Sequence, residues 1–309
     1  MSTSASKKVI FAALAGNGAI AVTKFVAAAI TGSAAMLAEG IHSVVDTGNQ
    51  VLLLLGLKRA ARPANEAFPF GHGKEIYFWS FVVAILIFAV GSGVSIYEGV
   101  RHLVHPKHAT SPMINYLVLG LAMIFEGVAW YFAFKEFRKV KGETGFLRAV
   151  REGKDPSLFV VLFEDSAAML GLVVAFLGVW LAQVTGEPRF DAAASLVIGL
   201  ILGGTAIWLA VETKSLLIGE SAAPEVARGI RLLVEEHELV EHVNEVLTLH
   251  MGPEFILVNM SIDYRDECSA EEVERDIARL DGEIKENWPL VKRVFIEAES
   301  WVKARRTEK

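Results

Sequence analysis

Residues 34–57 read AAMLAEGIHSVVDTGNQVLLLLGL, an apolar run of bilayer length broken by three ionisable side chains. Glu39, His42 and Asp46 stand three and four positions apart, so a helix stacks them along one stripe. A charge at the middle of a spanning helix costs roughly 2.5–3.5 kcal/mol even on the lenient insertion scale, and such groups usually face a cavity. Imidazole and carboxylate one turn apart are hard or borderline metal ligands. The stretch therefore raises two questions, where the membrane is and where a metal ion would sit.

The rest of the chain answers the first. Of 309 residues 53% are hydrophobic, and the mean hydropathy is +0.41, above what a soluble domain carries. A bilayer core of ~30 Å needs about 20 apolar residues in a helix, and six stretches meet that length: 9–30, 34–57, 76–100, 113–134, 157–183 and 192–213. Turn chemistry separates them at Thr31-Gly32-Ser33, Arg62-Pro63, His105-Pro106, Lys154-Asp155-Pro156 and Gly186-Glu187-Pro188. The expectation is a polytopic α-helical membrane protein with six transmembrane helices and both ends on one side.

Orientation follows from Lys and Arg in the short connections. The N-terminus and the loops 58–75 and 135–156 hold thirteen of them, against Arg101, Lys107 and Arg189 on the other side, which makes the first group cytoplasmic. The first apolar run follows only Met1 to Lys8 and has no small-residue cleavage site leading to a soluble domain, so it reads as a retained cytoplasmic anchor. Residues 220–309 carry 21 acidic and 12 basic groups, a net of −9, and leave +3 for residues 1–219. That imbalance sets off a water-exposed domain at 220–309 from a transport domain at 1–219. Cys268 is the one cysteine, so no intrachain disulfide is available and no oxidising compartment is called for.

The acidic domain reads as α-β-β-α-β. Pro224 to His237 has helical periodicity, and Val243 to His250 and Phe255 to Tyr264 are strands, the second alternating Ile256, Val258, Met260, Ile262 and Tyr264 on one face. Ser269 and Glu272 make a capping box that opens a helix to about Asn287, and Val291 to Glu297 closes the sheet. Two helices on one face of three strands make a small α+β module.

A second intramembrane acidic pair, Glu164 and Asp165, lies within the fifth apolar stretch. Neighbouring helical residues diverge by about 100°, so one is expected to be a primary ligand and the other a proton-linked or outer group. His72 stands between Gly71 and Gly73 in the loop 58–75, where a turn-stabilising role and a metal role are both open. His102, His105 and His108 cluster on the far side, but Pro106 interrupts any shared helical face. Gly71-His72-Gly73-Lys74 lacks the spacing of a phosphate loop, and neither His-Glu-x-x-His nor Gly-x-Ser-x-Gly occurs, so nucleotide fuel and membrane-embedded hydrolysis are not indicated.

Further motifs run in order along the chain: Asn17 and Lys24; Thr31-Gly32-Ser33-Ala34-Ala35; Ala38-Glu39-Gly40-Ile41-His42-Ser43-Val44-Val45-Asp46; Phe70-Gly71-His72-Gly73-Lys74; Tyr97-Glu98-Gly99; Phe190-Asp191; Leu216-Leu217-Ile218-Gly219-Glu220; His250-Met251-Gly252-Pro253; and Val291 to Glu297. In these the chain resembles the cation diffusion facilitator family. The resemblance implies a homodimeric divalent-metal/proton antiporter in the lipid bilayer, with six helices and a ferredoxin-like, metallochaperone-like cytoplasmic dimerisation domain. It implies no enzyme activity, no prosthetic group and no nucleic-acid partner. His42 and Asp46 match the family's second-helix ligands, and Asp165 matches the fifth-helix Asp with Gly171 beyond it, but Val161 stands where a His is usual. Glu164 is the nearest group to complete the set, with Glu39, Asn49 and His72 as further candidates.

The resemblance also implies metals bound between protomers in the C-terminal domain, but Asn244 and Asn259 occupy positions where histidines would serve, and asparagine is a poor zinc ligand. The loop 139–155 has no histidine. The resulting expectation is proton-coupled export of a divalent transition metal, Zn(II) before the alternatives Mn(II), Fe(II), Co(II) and Cd(II), across the plasma (inner) membrane if the source is a bacterium. A metal uniporter and a non-transporting metal sensor or scaffold are the alternatives.

Overall fold

The computed structural model describes residues 3–106, 111–141 and 156–301. The expectations for His108 and for most of the loop 139–155 fall outside them. The chain divides into two compact units, Met1–Lys58 with Ile76–Lys214 and Arg59–Glu75 with Ser215–Lys309.

The first unit is helical throughout. Helices α1 (Thr3–Thr31) and α2 (Ala34–Ala60) are followed by α3 (Glu75–Leu86), which passes through a π-helical turn at Ile87–Ser92 into α4 (Gly93–Val104). Then come α5 (Pro112–Lys141), α6 (Pro156–Thr185) and α7 (Arg189–Ile218). Among the described residues four helices are long and apolar enough to cross a bilayer: Glu75–Val104, Met113–Lys135, Phe159–Thr185 and Arg189–Ile218. Within α1 the stretch Asn17–Thr31 is apolar but shorter. Helix α2 has the length, 27 residues or about 40 Å, but its polar stripe lowers its hydropathy. Outward-facing residues of the unit include Val22, Ile30, Leu117, Ile124, Phe125, Leu170 and Leu200, an apolar coat suited to lipid.

The join between α1 and α2 orients the helix that carries the stripe. Gly32 takes a φ of +69°, the left-handed conformation that ends a helix without a Cβ penalty. Asp191, at the start of α7, then receives hydrogen bonds from Ser33 Oγ and the Ala34 amide, both at 2.6 Å. A carboxylate there satisfies an orphan N–H and complements the helix dipole.

The second unit places α8 (Pro224–Glu235), β1 (Val240–Gly252), β2 (Phe255–Tyr264), α9 (Ala270–Asn287) and β3 (Val291–Ala298) in the order α-β-β-α-β. The first helix stops two residues earlier than its periodicity suggested, and β1 extends further at both ends. Strand order is β1-β2-β3, with β1 antiparallel and β3 parallel to β2. The parallel pair follows from the crossover through α9, which returns the chain in its original direction. Ile230 and Val234 of α8, Leu280 and Ile284 of α9, and Val258, Met260 and Ile262 of β2 meet in one apolar core.

Residues outside this α-β-β-α-β core are tied to it. The His250 amide donates to Glu220 O at 3.0 Å and the Ala222 amide to Thr248 Oγ1 at 2.9 Å. At Gly73 the backbone runs so close to β1 that a Cβ would lie 2.5 Å from Met251 O. Contacts of this kind join the segment Arg59–Glu75 to the second unit.

Candidate metal centre

One stripe of α2 is buried along most of the helix. Ala35, Glu39, His42, Asp46, Asn49, Leu53 and Gly56 follow at steps of three and four, and all are buried. Four of these seven are polar, which is expensive in a membrane helix unless each finds a partner or a function.

Two of the four find protein partners. Lys24 of α1 donates to Glu39 Oε2 at 3.1 Å and to Ser43 Oγ at 2.8 Å. Gly171 of α6 makes room for that carboxylate, since a Cβ there would lie 2.5 Å from Glu39 Oε1. Asn49 Nδ2 donates to Glu164 Oε1 across the α2–α6 contact. Glu39 thus belongs to an ion pair and Asn49 to an interhelical hydrogen bond.

His42 and Asp46 are different. His42 Nδ1 approaches Asp46 Oδ1 to 3.3 Å, yet both are buried without a hydrogen-bond partner, as are His42 Nε2 and Asn49 Oδ1. Ligands held tetrahedrally at Zn–N and Zn–O bond lengths lie roughly 3.3–3.5 Å apart. Asp46 also lies within hydrogen-bonding reach of Glu164.

On α6 the adjacent carboxyls part company, as the 100° step between neighbours requires. Glu164 is buried against α2, whereas Asp165 is only partly buried and interacts with Asp46 and Glu164 at longer range. Among the described residues no three His, Cys, Asp or Glu side chains come close enough to hold a metal ion. The structure thus pairs His42 with Asp46 and Asp46 with Glu164, and leaves Asp165 at a longer range from the two carboxyls. His72 belongs to the second unit: its ring packs on Phe68 with centroids 4.5 Å apart, in a turn closed by the Gly71 amide donating to Phe68 O.

Some participants were missed in the sequence. Glu126 of α5 is nearly buried, 3.8 Å from Lys24 Nζ, and nothing in its local pattern marks it beyond a lone acid in an apolar run. Trp130, one turn further, donates through Nε1 to Ser166 Oγ at 2.9 Å and fixes α5 against α6 beside the acidic pair.

A model of the cation efflux transmembrane domain family matches residues 10–218. The chain belongs to the cation efflux family. It is an integral membrane protein on that ground and on its apolar helices. Cation efflux relatives include the mitochondrial proton-coupled zinc antiporter SLC30A9 of Xenopus laevis, 34% identical over 68% of this chain and 38% of its own length. Metal tolerance protein C4 of Arabidopsis thaliana is 28% identical over 68% of this chain and 46% of its own. The cation-efflux pump FieF of Citrobacter koseri is 25% identical over 73% and 72%. The aligned chain thus spans less than half the length of the first two.

Proposed function

We propose that this chain is a transporter, not an enzyme, that exports a divalent transition metal, Zn(II) before others, in exchange for protons. The observation that carries the reading is the approach of His42 Nδ1 to Asp46 Oδ1 at 3.3 Å without a hydrogen bond, a spacing that suits two ligands of one tetrahedral ion. Likeness to a proton-coupled zinc antiporter and to a cation-efflux pump supports both the substrate and the coupling.

On this reading His42 and Asp46 hold the ion from α2, and α6 supplies Glu164 and Asp165 in turn. A rotation of α6 during alternation between inward- and outward-open states exchanges one carboxyl for the other. Asn49 Oδ1 is a neutral oxygen beside them. All six long helices are taken as spans, α2 included, with both termini cytoplasmic and two protomers forming a homodimer. The N-terminal transport domain is residues 1–219 and the dimerisation domain 220–309.

Proton exchange follows from ligand chemistry. Metal binds imidazole only when neutral and carboxyl only as carboxylate, so loading releases protons and reprotonation on the far side favours release. A hydrogen bond between Asp46 and Glu164 needs a proton between them, and a dication takes that proton's place.

The test is zinc flux into proteoliposomes of the full chain, with membrane potential clamped and a pH gradient imposed. Flux that grows with an opposing proton gradient, and is greater for Zn(II) than for Mn(II), Fe(II), Co(II) or Cd(II), is expected. Flux indifferent to the gradient replaces antiport with uniport. No flux of any ion, with metal still bound, leaves a sensor or scaffold.

A further inference from the structure

Lys24 is fully buried in the helical unit, and its ammonium sits among three oxygens from two other helices. Ser43 Oγ lies at 2.8 Å and Glu39 Oε2 at 3.1 Å, both on α2, and Glu126 Oε1 of α5 lies at 3.8 Å. Two carboxylates and a hydroxyl around one cation form an all-oxygen donor set, the kind that hard divalent ions take. Glu39 is completely buried, and its second oxygen, Oε1, has no hydrogen-bond partner. The group is one helical turn from His42, and Ser43 is the next residue along the chain.

A helix needs no such cluster to pack. Burying one lysine against two glutamates spends desolvation on three ions where apolar side chains of similar volume would serve as well. The arrangement makes sense if the ammonium holds a place that another cation would otherwise take. A lysine is a cation that cannot dissociate, because its stem is fixed to α1.

We propose that Lys24 is a specificity-determining residue whose tethered ammonium fills an oxygen-lined cation position made by Glu39, Ser43 and Glu126, and so confines transported metal to the position at His42 and Asp46. The proposal rests on the transport reading of that neighbouring position. It assigns Glu39 and Glu126 to holding Lys24, not to holding zinc. Without the ammonium the position takes an oxygen-preferring dication, with Mn(II) as the probe.

Equilibrium binding of radiolabelled Mn(II) to the full chain in lipid nanodiscs, with no zinc present to compete, tests this. Lys24→Met should bind one more Mn(II) per protomer than the unchanged chain. The extra ion should disappear in Lys24→Met/Glu39→Gln/Glu126→Gln and should not arise in Lys24→Arg. A folded Lys24→Met protein that binds no additional Mn(II) overturns the proposal. A variant that fails to fold leaves a second arm, in which Glu39→Gln alone keeps zinc affinity within about twofold. A loss of tenfold or more there makes Glu39 a ligand of the transported ion and overturns the proposal by another route. Absence of zinc binding in the unchanged chain refutes the transport reading itself, whereas zinc binding without a manganese gain refutes only the role of Lys24.

Discussion

In the helical unit the buried face of α2 carries Glu39, His42, Asp46 and Asn49, and atoms of all four lack hydrogen-bond partners. In the second unit the central cluster from Ala222 to Val291 is apolar, and His237, His250 and Asp276 are buried beside it. There His237 lies between Asp276 at 2.9 Å and Glu283 at 3.1 Å, with Arg279 alongside. Both units bury polar groups, but in different arrangements. Beside the second core single atoms such as Asn244 Oδ1 and Asp276 Oδ2 lack hydrogen-bond partners, whereas on α2 the unpartnered atoms fall on successive positions of one helical stripe, which is the mark of a site that receives something from outside.

The contrast is broken most directly at Asp46. Asp46→Ala removes a carboxyl whose Oδ1 has no hydrogen-bond partner, so the helical unit should fold while zinc flux falls roughly 100-fold or more, since even outer partners of metal ligands cost about 10–100-fold. Proteoliposome flux set against the size-exclusion profile reads both. Asp165→Ala should behave likewise, and near-normal transport by either variant removes that residue from the site.

The reverse result is expected at Leu280, which is fully buried in the second core. Leu280→Ala should cost about 2–5 kcal/mol, read as lost hydrogen-exchange protection in β1, β2 and β3, with protection of α2 and α6 unchanged. If α2 and α6 lose protection equally, the two units do not fold independently.

The same difference governs how much of the molecule was legible beforehand. Strand β2 could be read residue by residue because its alternation puts Ile256, Val258, Met260 and Ile262 on one face, and all four are buried. His42 and Asp46 were legible for the equivalent reason, a helical period inside an apolar run. Partners brought together by tertiary packing were not. Lys24 and Glu39 are fifteen residues apart, and Asp191 caps α2 from more than 150 residues away. Nor does a period say which of two adjacent acids on α6 faces α2: the expectation favoured Asp165 as the primary ligand, and the packing puts Glu164 closer to Asp46 and Asn49.

A smaller effect sharpens the boundary of the second unit. Gly73→Ala would place a methyl 2.5 Å from Met251 O, a backbone atom with little room to yield. Overpacking of this kind costs about 1–3 kcal/mol. It should appear as faster amide exchange in Arg59–Glu75 and in the end of β1. An unchanged exchange pattern would mean that the segment is not held there.

The smallest effect is also the one with the clearest sign. Ser269 caps α9 by accepting from the Glu272 amide at 3.3 Å, while Glu272 Oε2 accepts from the Ser269 amide at 2.8 Å and its hydroxyl at 2.7 Å. Ser269→Ala should cost about 1 kcal/mol, the usual worth of such a cap. The Glu272 carboxyl is held below its ordinary value of 4.5 first by the backbone hydrogen bond from Ser269 and then by the hydroxyl. A group whose pKa is lower folded than unfolded stabilises the fold above the unfolded value, and loses that contribution as pH falls through the folded value. The capping contribution should therefore be constant at neutral pH and fade below about 4.5. Exchange protection of the first turn of α9, followed from pH 7 to pH 3, should differ less between Ser269→Ala and the unchanged chain at the acid end, where the hydroxyl loses its bond to the carboxylate but still accepts from the Glu272 amide. A difference that persists undiminished at pH 3 would assign the cap to the serine hydroxyl alone and leave Glu272 a bystander.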